Sequence, residues 1–380
     1  MTDVVIVGGG FAGLYTGFWL AKKGFDVVIF EEHKEIGIPH HCAGLISISG
    51  LDRIGLLKDV INKRIFFTKI RRAKLFFHNC IRKLDAHEYI SLEVDREKLD
   101  KLLAEKAINN GAEIILGERI KRITRDGRVK ASNREINAKV VVNAEGAAGY
   151  LLKLLTGRKY TSPILAFQFD AKIRKEIPTD CVEVYFNTPD FFSWIIPLSE
   201  KEVRVGVVSN YIRPLSEFAH KFARKRFGEI KVLRKYGGLV ITDGPIPRFV
   251  YGKIVCIGDT AGQTKPTTGG GVVFSGISGM ILVKVIEKHL ELGISLLWYE
   301  KIWKRILGKH RSFMRKFRSL FYFTDARATT SIAKFIPQFI FDRIKGDFDF
   351  QIDAFLKLIP LIRGKTRGKQ LGTTSHHVLE

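Results

Sequence analysis

The sequence predicts an α/β protein in which an antiparallel β-sheet is inserted into a dinucleotide-binding domain and a helical region follows. Three observations support this prediction. Residues 4–31 contain an apolar strand, a glycine-rich turn, a helix and a second strand. Residues 164–208 alternate with a period of two, which is typical of half-buried antiparallel strands. Residues 254–257 return to the continuous apolar run of a parallel strand, which indicates that the opening domain is completed later in the chain.

The turn after the first strand carries Gly8, Gly10 and Gly13 in the spacing of a dinucleotide-binding fingerprint. Gly8 permits the tight turn, Gly10 lets a pyrophosphate approach the backbone, and Gly13 allows the helix to pack closely on the strand. The helix N-terminus offers free N–H groups to the anion. Glu31 ends the second strand at about the expected 20-residue offset, where its carboxylate can bond ribose hydroxyls. The alternative is a tight turn without a ligand.

The chain is predicted to fold into discontinuous domains. The dinucleotide-binding domain comprises residues 1–61, 96–160 and 245–290, and the β-rich substrate domain comprises residues 62–95 and 161–244. A helical region over 291–363 and a flexible basic tail over 364–380 complete the chain.

Shorter elements follow from local patterns. Strands are expected at 65–67, 74–77, 89–94 and 140–143, and Arg96 opens an amphipathic helix that ends at Asn110. Residues 266–283 lack a charge, but five of these residues are glycine, so they are expected to form a loop and a buried helix rather than a membrane span.

A second glycine-rich segment occupies residues 254–279. Its strand ends at Gly258 and Asp259, and the Asp259 carboxylate can accept a hydrogen bond from a polyol. The glycine triplet 269–271 lies at the start of a helix, where N–H groups and the positive end of the helix dipole would stabilise negative charge on a reduced ring. This segment is therefore interpreted as a second cofactor contact, and a plain tight turn before a buried helix is the alternative.

The helix predicted near the C-terminal end is amphipathic. Its apolar face is expected to pack on the protein core, and its basic face can contact an anionic membrane. The apolar residues are Ile302, Trp303, Ile306, Leu307, Phe313, Met314, Phe317, Leu320 and Phe321. The basic residues are Lys301, Lys304, Arg305, Lys309, Arg311, Arg315, Lys316 and Arg318.

Composition limits the function classes. The net charge of +24 predicts attraction to polyanions, and nucleic acid is the weakest candidate because no nucleic-acid-binding motif occurs. Four cysteines without C-x-x-C spacing argue against a zinc site, an iron–sulfur cluster and a disulfide scaffold. No signal peptide is predicted, so the expected location is cytoplasmic, with a peripheral position on the inner face of the cell membrane as a further expectation.

The glycine-rich segments within residues 4–31 and 254–279 resemble those of FAD-dependent enzymes of the p-hydroxybenzoate hydroxylase fold. In that family, a Gly-Asp pair meets the flavin ribityl chain and the following P-x-x-G-G-G segment borders the ring. Arg96 resembles the arginine that opens the second helix and meets the cofactor, and residues 141–149 resemble a strand-end segment in which Glu145 replaces the usual aspartate. The cofactor-binding residues implied are Gly8, Gly10, Gly13, Glu31, Glu32, Cys42, Ala43, Arg96, Glu145, Gly146, Gly258, Asp259, Pro266, Gly269, Gly270 and Gly271.

Two segments resemble archaeal geranylgeranyl reductases in particular. Residues 189–197 are similar to the P-x-x-Y-x-W-x-F-P segment of that family, and residues 36–47 are similar to its cysteine-glycine segment near the flavin. The resemblance implies that Phe192, Trp194 and Pro197 bind an isoprenoid chain. The alternative is that these aromatic residues form the core of the sheet.

The implied reaction is the reduction of isoprenoid double bonds in membrane-lipid precursors by hydride from FAD. An isolated double bond also needs a proton in a dry, oriented pocket. Cys42 and His41 are the predicted catalytic residues, and His40 is a further candidate donor. The electron donor is NAD(P)H or ferredoxin, and an isoprenoid lipid and an anionic membrane surface are the other expected partners. An FAD-dependent monooxygenase or a halogenase-like enzyme is the alternative function.

Overall fold

The computed structural model describes residues 1–132, 134–159 and 162–322, except for the side chains at 317 and 320–322. Its described α-helices are α1 (Phe11–Lys22), α2 (Ile48–Arg53), α3 (Leu57–Asn62), α4 (Arg96–Asn109), α5 (Tyr150–Thr156), α6 (Leu215–Phe227), α7 (Val272–Leu292) and α8 (Trp298–Tyr322). The strands up to the middle of the chain are β1 (Thr2–Val7), β2 (Val27–Glu31), β3 (Leu45–Ser47), β4 (Phe66–Ile70), β5 (Arg72–Phe77), β6 (Cys80–Asp85), β7 (Ser91–Val94), β8 (Glu113–Leu116), β9 (Arg122–Ile123), β10 (Arg128–Lys130) and β11 (Glu135–Asn143). The later strands are β12 (Ile164–Ile173), β13 (Cys181–Tyr185), β14 (Ser193–Pro197), β15 (Glu202–Val208), β16 (Ile230–Val240), β17 (Val250–Tyr251) and β18 (Ile254–Cys256).

The first sheet has the order β17-β18-β11-β1-β2-β8, with β9 and β10 attached beyond β11. Its central pairs, β18-β11, β11-β1, β1-β2 and β2-β8, are parallel. Because both faces of a parallel sheet are covered, its central strands are continuous apolar runs, and Val4, Val5 and Ile6 are fully buried. Helices α1 and α7 pack against each other beside this sheet. The predicted α/β fold is confirmed.

The second sheet has the order β16-β12-β15-β14-β13-β5-β6. One face carries Phe169, Val203 and Val205, which are buried together with side chains of α6. The opposite face carries a row of paired residues that crosses several strands: Gln168 opposite Gly206, Gly206 opposite Trp194, Trp194 opposite Val184, and Val184 opposite Leu75.

The inserted sheet differs from the prediction in one pairing. It was expected to be antiparallel throughout, but β5 and β13 pair in parallel. A parallel pair requires a crossover connection, and here the chain between the two strands includes β8, β9, β10 and β11 of the first sheet. A third, small sheet has the order β3-β7-β4.

Helix α8 packs on the core through the predicted apolar face. Trp303, Leu307 and Met314 are buried, and Ile302 and Ile306 are partly buried against the same cluster. The expected position of Arg311 on the basic face is wrong. Its side chain is turned into the protein and only 3% of the residue is exposed.

Six of the predicted basic side chains on α8 are exposed. They are Lys301, Lys304, Arg305, Lys309, Arg315 and Lys316. The predicted apolar side chains at 317, 320 and 321, the helical region from 323 to 363 and the basic tail from 364 to 380 lie outside the described residues. No helix in the described part of the chain combines the length and the apolar character needed to cross a bilayer.

Candidate cofactor and substrate site

One continuous cavity of about 1110 Å³ lies between the first and the second sheet. On one side it is bounded by the glycine turn 8–10, by residues 144–148 and by Asp259, all of which follow strands of the first sheet. On the other side it is bounded by the face of the second sheet that carries Gln168 and Trp194. Ligands of parallel α/β sheets bind at this carboxyl edge of the strands. The cavity therefore has a polar part beside the glycine turn and an apolar part beside the second sheet.

The N-terminus of α1 faces the polar part of the cavity. No described side chain caps this helix, whose N-cap is Gly10. A Cβ atom on Gly10 would meet nothing within 4 Å, because the cavity lies in front of it. Gly8 has φ = 106° and lies against the carbonyl of Ala144, and Gly13 lies against the carbonyl of Gly8. The free N–H groups and the open space at Gly10 fit an anion such as a pyrophosphate.

Glu31 ends β2 beside this turn. Its Oε2 accepts a hydrogen bond from Gly9 N at 2.6 Å, and its Oε1 accepts one from His33 N at 2.9 Å. The carboxylate thus holds the glycine turn and also borders the cavity. Its remaining lone pairs could accept hydrogen bonds from ribose hydroxyls. The neighbouring Glu32 also borders the cavity and pairs with Arg119 at 3.3 Å.

Asp259 lies in the wall of the cavity. Burial raises the pKa of its carboxyl from 3.8 to about 6, although the nearby Arg96 opposes this shift. The preceding Gly258 has φ = 67°, and a Cβ atom there would lie 2.9 Å from the Cβ of Ala12. Gly258 is therefore required for packing against α1, and Asp259 is the member of the pair that can contact a ligand.

The glycine triplet 269–271 also borders the cavity, and Gly271 is the N-cap of α7. No described side chain caps this 21-residue helix. Its N-terminus therefore presents N–H groups and positive dipole charge near the cavity. Pro266, in contrast, is not part of the wall, and its carbonyl accepts a hydrogen bond from Arg318 at 3.0 Å.

Arg96 lies at the start of α4, where Asp95 caps the helix. Its guanidinium pairs with Asp100 at 2.9 Å, lies 5.4 Å from the ring centroid of Phe11 and reaches the Cys42 thiol. The buried Arg96 Nε has no hydrogen-bond partner in the described part of the chain. Such an orphaned donor in the cavity wall is available to a ligand.

Glu145 and Gly146 border the cavity on the far side of the glycine turn. The Glu145 carboxylate accepts hydrogen bonds from the N–H groups of Leu151 and Leu152, at 2.7 and 2.8 Å. It also accepts one from the Asn143 amide at 2.9 Å. The side chain of Glu145 thus stabilises the N-terminus of α5, a role that the sequence did not reveal.

The Cys42 segment, residues 41–44, borders the cavity and contacts both of its parts: the Cys42 thiol reaches Arg96, and Ala43 packs against the apolar cluster that contains Trp194. Cys42 is half-buried, and its Sγ accepts a hydrogen bond from Gly44 N at 3.4 Å. His41 is exposed, and its Nδ1 is 2.6 Å from the carbonyl of Gly237. His40 packs edge-on against Tyr236, and burial together with neighbouring arginines lowers its pKa to about 3. His40 is therefore neutral at physiological pH.

The apolar part of the cavity is formed by side chains of the second sheet. The Phe192 and Trp194 rings meet edge to face with centroids 5.9 Å apart, and both border the cavity. Trp194 Nε1 and Gln168 Oε1 are buried without a hydrogen-bond partner in the described part of the chain. Pro197 does not border the cavity, and its carbonyl accepts a hydrogen bond from Thr68. The remaining apolar wall includes Ile70, Leu75, Phe77, Val182, Val184, Phe186, Ile196 and Val208.

Sequence reasoning missed a buried charged cluster behind the Cys42 segment. Arg204 is completely buried and bonds both Asp170 and Glu93. Burial raises the pKa of Glu93 to about 8, while Arg204 opposes the shift. Arg234 also pairs with Asp170, at 2.7 Å. The only sequence signal was that polar residues occupy the alternate positions of the apolar strands β12 and β15.

The described residues contain no cluster of histidine, cysteine and acidic side chains suited to a metal ion. Their polar groups instead fit a dinucleotide: an uncapped helix N-terminus, an acid at the end of β2 and an acid in the wall near a second uncapped helix.

Comparison with known proteins identifies relatives over nearly the whole chain. A family model described as FAD binding domain matches residues 1–229. An uncharacterised protein of Methanocaldococcus jannaschii is 29% identical over 94% of this chain and 94% of its own length. Digeranylgeranylglycerophospholipid reductase 2 of Methanothermobacter thermautotrophicus is 28% identical over 84% of this chain and 87% of its own length.

Solved structures share the fold at lower identity. A geranylgeranyl bacteriochlorophyll reductase-like protein of Thermoplasma acidophilum has a TM-score of 0.81 at 21% identity, and the match covers 94% of this chain and 96% of that one. The flavin-dependent halogenase CmlS has a TM-score of 0.71 at 17% identity, with 95% and 77% covered. At these identities the structural likeness establishes the architecture alone.

Proposed function

The chain belongs to the FAD binding domain family, and on that basis we propose that it is an FAD-dependent reductase of isoprenoid double bonds, acting on membrane-lipid precursors. One observation carries the proposal: the glycine turn and Asp259 border the same cavity as the apolar face of the second sheet. A cofactor held by the first group would lie beside an apolar chain held by the second. The digeranylgeranylglycerophospholipid reductases among the relatives support this choice of substrate.

FAD, when bound, supplies the hydride for the double bond. The residues of the chain supply binding and orientation. The N-terminus of α1 binds the pyrophosphate, Glu31 the adenosine ribose and Asp259 the ribityl hydroxyls. The N-terminus of α7 would stabilise negative charge on a flavin ring held beside it. Arg96 adds a donor through its unpartnered Nε.

The apolar wall orients the isoprenoid chain and excludes water, which an unpolarised double bond requires. Phe192 and Trp194 belong to this wall, and Pro197 lies outside the cavity. Cys42 holds the proton in this proposal because its thiol borders the cavity and reaches Arg96, next to the proposed cofactor site. His40 is a weaker candidate, since it is neutral and its ring packs on Tyr236. His41 is exposed and bonded to Gly237.

The exposed basic side chains of α8 are proposed to attract an anionic lipid surface, where the substrate resides. This gives the protein a peripheral position on the membrane. Ferredoxin, an acidic electron donor, is the other partner that such a surface fits, and NAD(P)H is the alternative source of electrons.

The mass of the product tests the proposal. Chemically reduced, FAD-loaded protein is incubated with a geranylgeranyl lipid in the absence of oxygen. The mass of the lipid is then measured by mass spectrometry. We expect two added hydrogens for each reduced double bond. A parallel incubation with oxygen tests the alternative function, because a monooxygenase adds an oxygen atom. An unchanged lipid in both incubations rejects the proposal for this substrate.

A further inference from the structure

We propose that Arg204 is a positioning residue that fixes the Cys42 segment, residues 41–44, between the cofactor and substrate parts of the cavity. Arg204 lies on β15 of the second sheet, 161 positions along the chain from Ala43. The importance of this role for turnover rests on the proposed function of Cys42. Whether Arg204 fixes the position of the segment can be tested without measuring substrate turnover.

The Arg204 guanidinium makes hydrogen bonds in three directions. Nε and Nη2 donate to the two carboxylate oxygens of Asp170, at 2.8 and 3.1 Å. Nη1 donates to Glu93 Oε1 at 2.5 Å and to the carbonyl of Ala43 at 2.9 Å. One buried side chain thereby connects the second sheet, the third sheet and the residue next to Cys42.

The same segment is held at two further points. The amide of Gln168 donates to the carbonyl of His41 at 2.9 Å, and His41 itself bonds the carbonyl of Gly237. At the other end, Val94 N donates to the carbonyl of Gly44 at 2.8 Å. Gly44 has φ = 87°, and a Cβ atom there would lie 2.6 Å from Glu93 Oε1. The segment thus lies directly on the Arg204–Glu93 pair.

Burying such a cluster is an inefficient way to gain stability. Desolvation of the charges offsets most of their attraction, and apolar side chains of similar volume often stabilise a core as well or better. A planar guanidinium, however, fixes the direction of every group that it bonds. This directional property matches a requirement of catalysis, since a displacement of about 1 Å at a reacting group can reduce the rate about 100-fold.

Two variants test the proposal. Arg204→Lys keeps the positive charge beside Asp170 and Glu93 but removes the fork that reaches Ala43. Gln168→Met removes the hydrogen bond to the His41 carbonyl without changing any charge. It serves as the test variant if Arg204→Lys does not fold. The matched control is Arg226→Lys, because Arg226 also bonds a carboxylate through two nitrogens, both at 2.9 Å to Glu183, but does not contact the Cys42 segment.

The first measurement is the rate at which each cysteine is alkylated in the FAD-loaded protein, followed by peptide mass spectrometry. We expect both variants to change the alkylation rate of Cys42 by about threefold or more, while Cys80, which is half-buried on β6, keeps its rate. The control variant should leave both rates unchanged. An unchanged Cys42 rate in folded Arg204→Lys, or in Gln168→Met if Arg204→Lys does not fold, would overturn the proposal, and so would an equal change in Arg226→Lys.

The second measurement separates positioning from general destabilisation. With a geranylgeranyl substrate, we expect kcat to fall about tenfold or more while KM and FAD content stay within about twofold. A rise in KM alone, or loss of FAD, would contradict a positioning role. If the wild-type protein reduces no double bond, the proposed function fails, and the alkylation experiment still decides whether Arg204 fixes the segment.

Discussion

The indole ring of Trp194 lies against Gly206 on the adjacent strand, in the space that a Cβ atom at Gly206 would occupy. The two residues are directly opposite in the register of β14 and β15. Gly206 therefore determines how Trp194 can border the apolar part of the cavity.

Gly206→Ala should destabilise the protein by about 1–3 kcal/mol, because the new methyl group forces the indole off its position in a packed sheet. Urea unfolding measures the change. Gly308→Ala on α8 is the control, since its Cβ atom would meet nothing closer than 4.0 Å, and a helical alanine should stabilise by about 0.5–1 kcal/mol. Equal stability of Gly206→Ala and wild type would show that the ring does not depend on this glycine.

Gly10→Val should strongly weaken FAD binding without unfolding the protein. Gly10 has φ = −82° and ψ = −179°, which valine adopts readily, and its side chain would extend into open cavity. It would then occupy the space proposed for the pyrophosphate. We expect FAD affinity to fall about 100-fold or more, measured by flavin fluorescence titration, with an unchanged thermal midpoint of the FAD-free protein. Normal FAD affinity would remove the glycine turn from the cofactor site.

Asp259→Asn should make the FAD-free protein more stable at neutral pH. Because burial raises the pKa of Asp259 from 3.8 to about 6, the folded state binds this proton more tightly than the unfolded chain does. At low pH the carboxyl is protonated in both the folded and the unfolded state and does not lower the free energy of unfolding. The wild-type protein loses stability as the pH rises through about 6. The variant should therefore match wild type near about pH 4 and exceed it by up to about 3 kcal/mol at about pH 7.

Unfolding by urea at the two pH values measures this difference. Asp52→Asn, at an exposed aspartate on α2, controls for the loss of one negative charge. A variant that is less stable than wild type at neutral pH would contradict the raised pKa of Asp259. The same substitution should weaken FAD binding, since an amide replaces the proposed acceptor of the ribityl hydroxyls.

Cys42→Ala should retain FAD and lose most of its rate of double-bond reduction. A positioned proton donor typically contributes about 100-fold or more. The rate under single-turnover conditions and the FAD content of the purified variant are the two measurements. Cys80→Ala provides the comparison, because Cys80 is the first residue of β6 and lies outside the cavity wall. Full activity of Cys42→Ala would assign the proton to another group.

The parts of the site that the sequence predicted are those built from local patterns. Gly8, Gly10 and Glu31 occur within one strand–helix–strand unit, so their spacing alone brings them together. A role for Asp259 in the site was predicted in the same way, because it follows a strand and precedes a glycine-rich turn. The significance of Cys42 came only from resemblance to a family, because nothing in its local sequence distinguishes it from other half-buried cysteines.

The charged cluster could not be predicted because it depends on pairing between distant strands. Arg204 meets Asp170 across 34 positions and Glu93 across 111. Only the register of β12 and β15 brings the first pair together, and only the packing of two different sheets brings the second. The parallel pairing of β5 with β13 escaped prediction for the same reason: a strand pattern does not specify its partner.

The most direct test of the account is oxidation of the bound, reduced flavin by a geranylgeranyl lipid in the absence of oxygen. Flavin absorbance is followed in a single turnover after mixing. If the cofactor and the isoprenoid occupy adjoining parts of one cavity, the absorbance of oxidised flavin returns at a rate that rises with lipid concentration, and the lipid gains two hydrogens. Flavin that stays reduced while the lipid is bound would contradict the proposed reduction of isoprenoid double bonds.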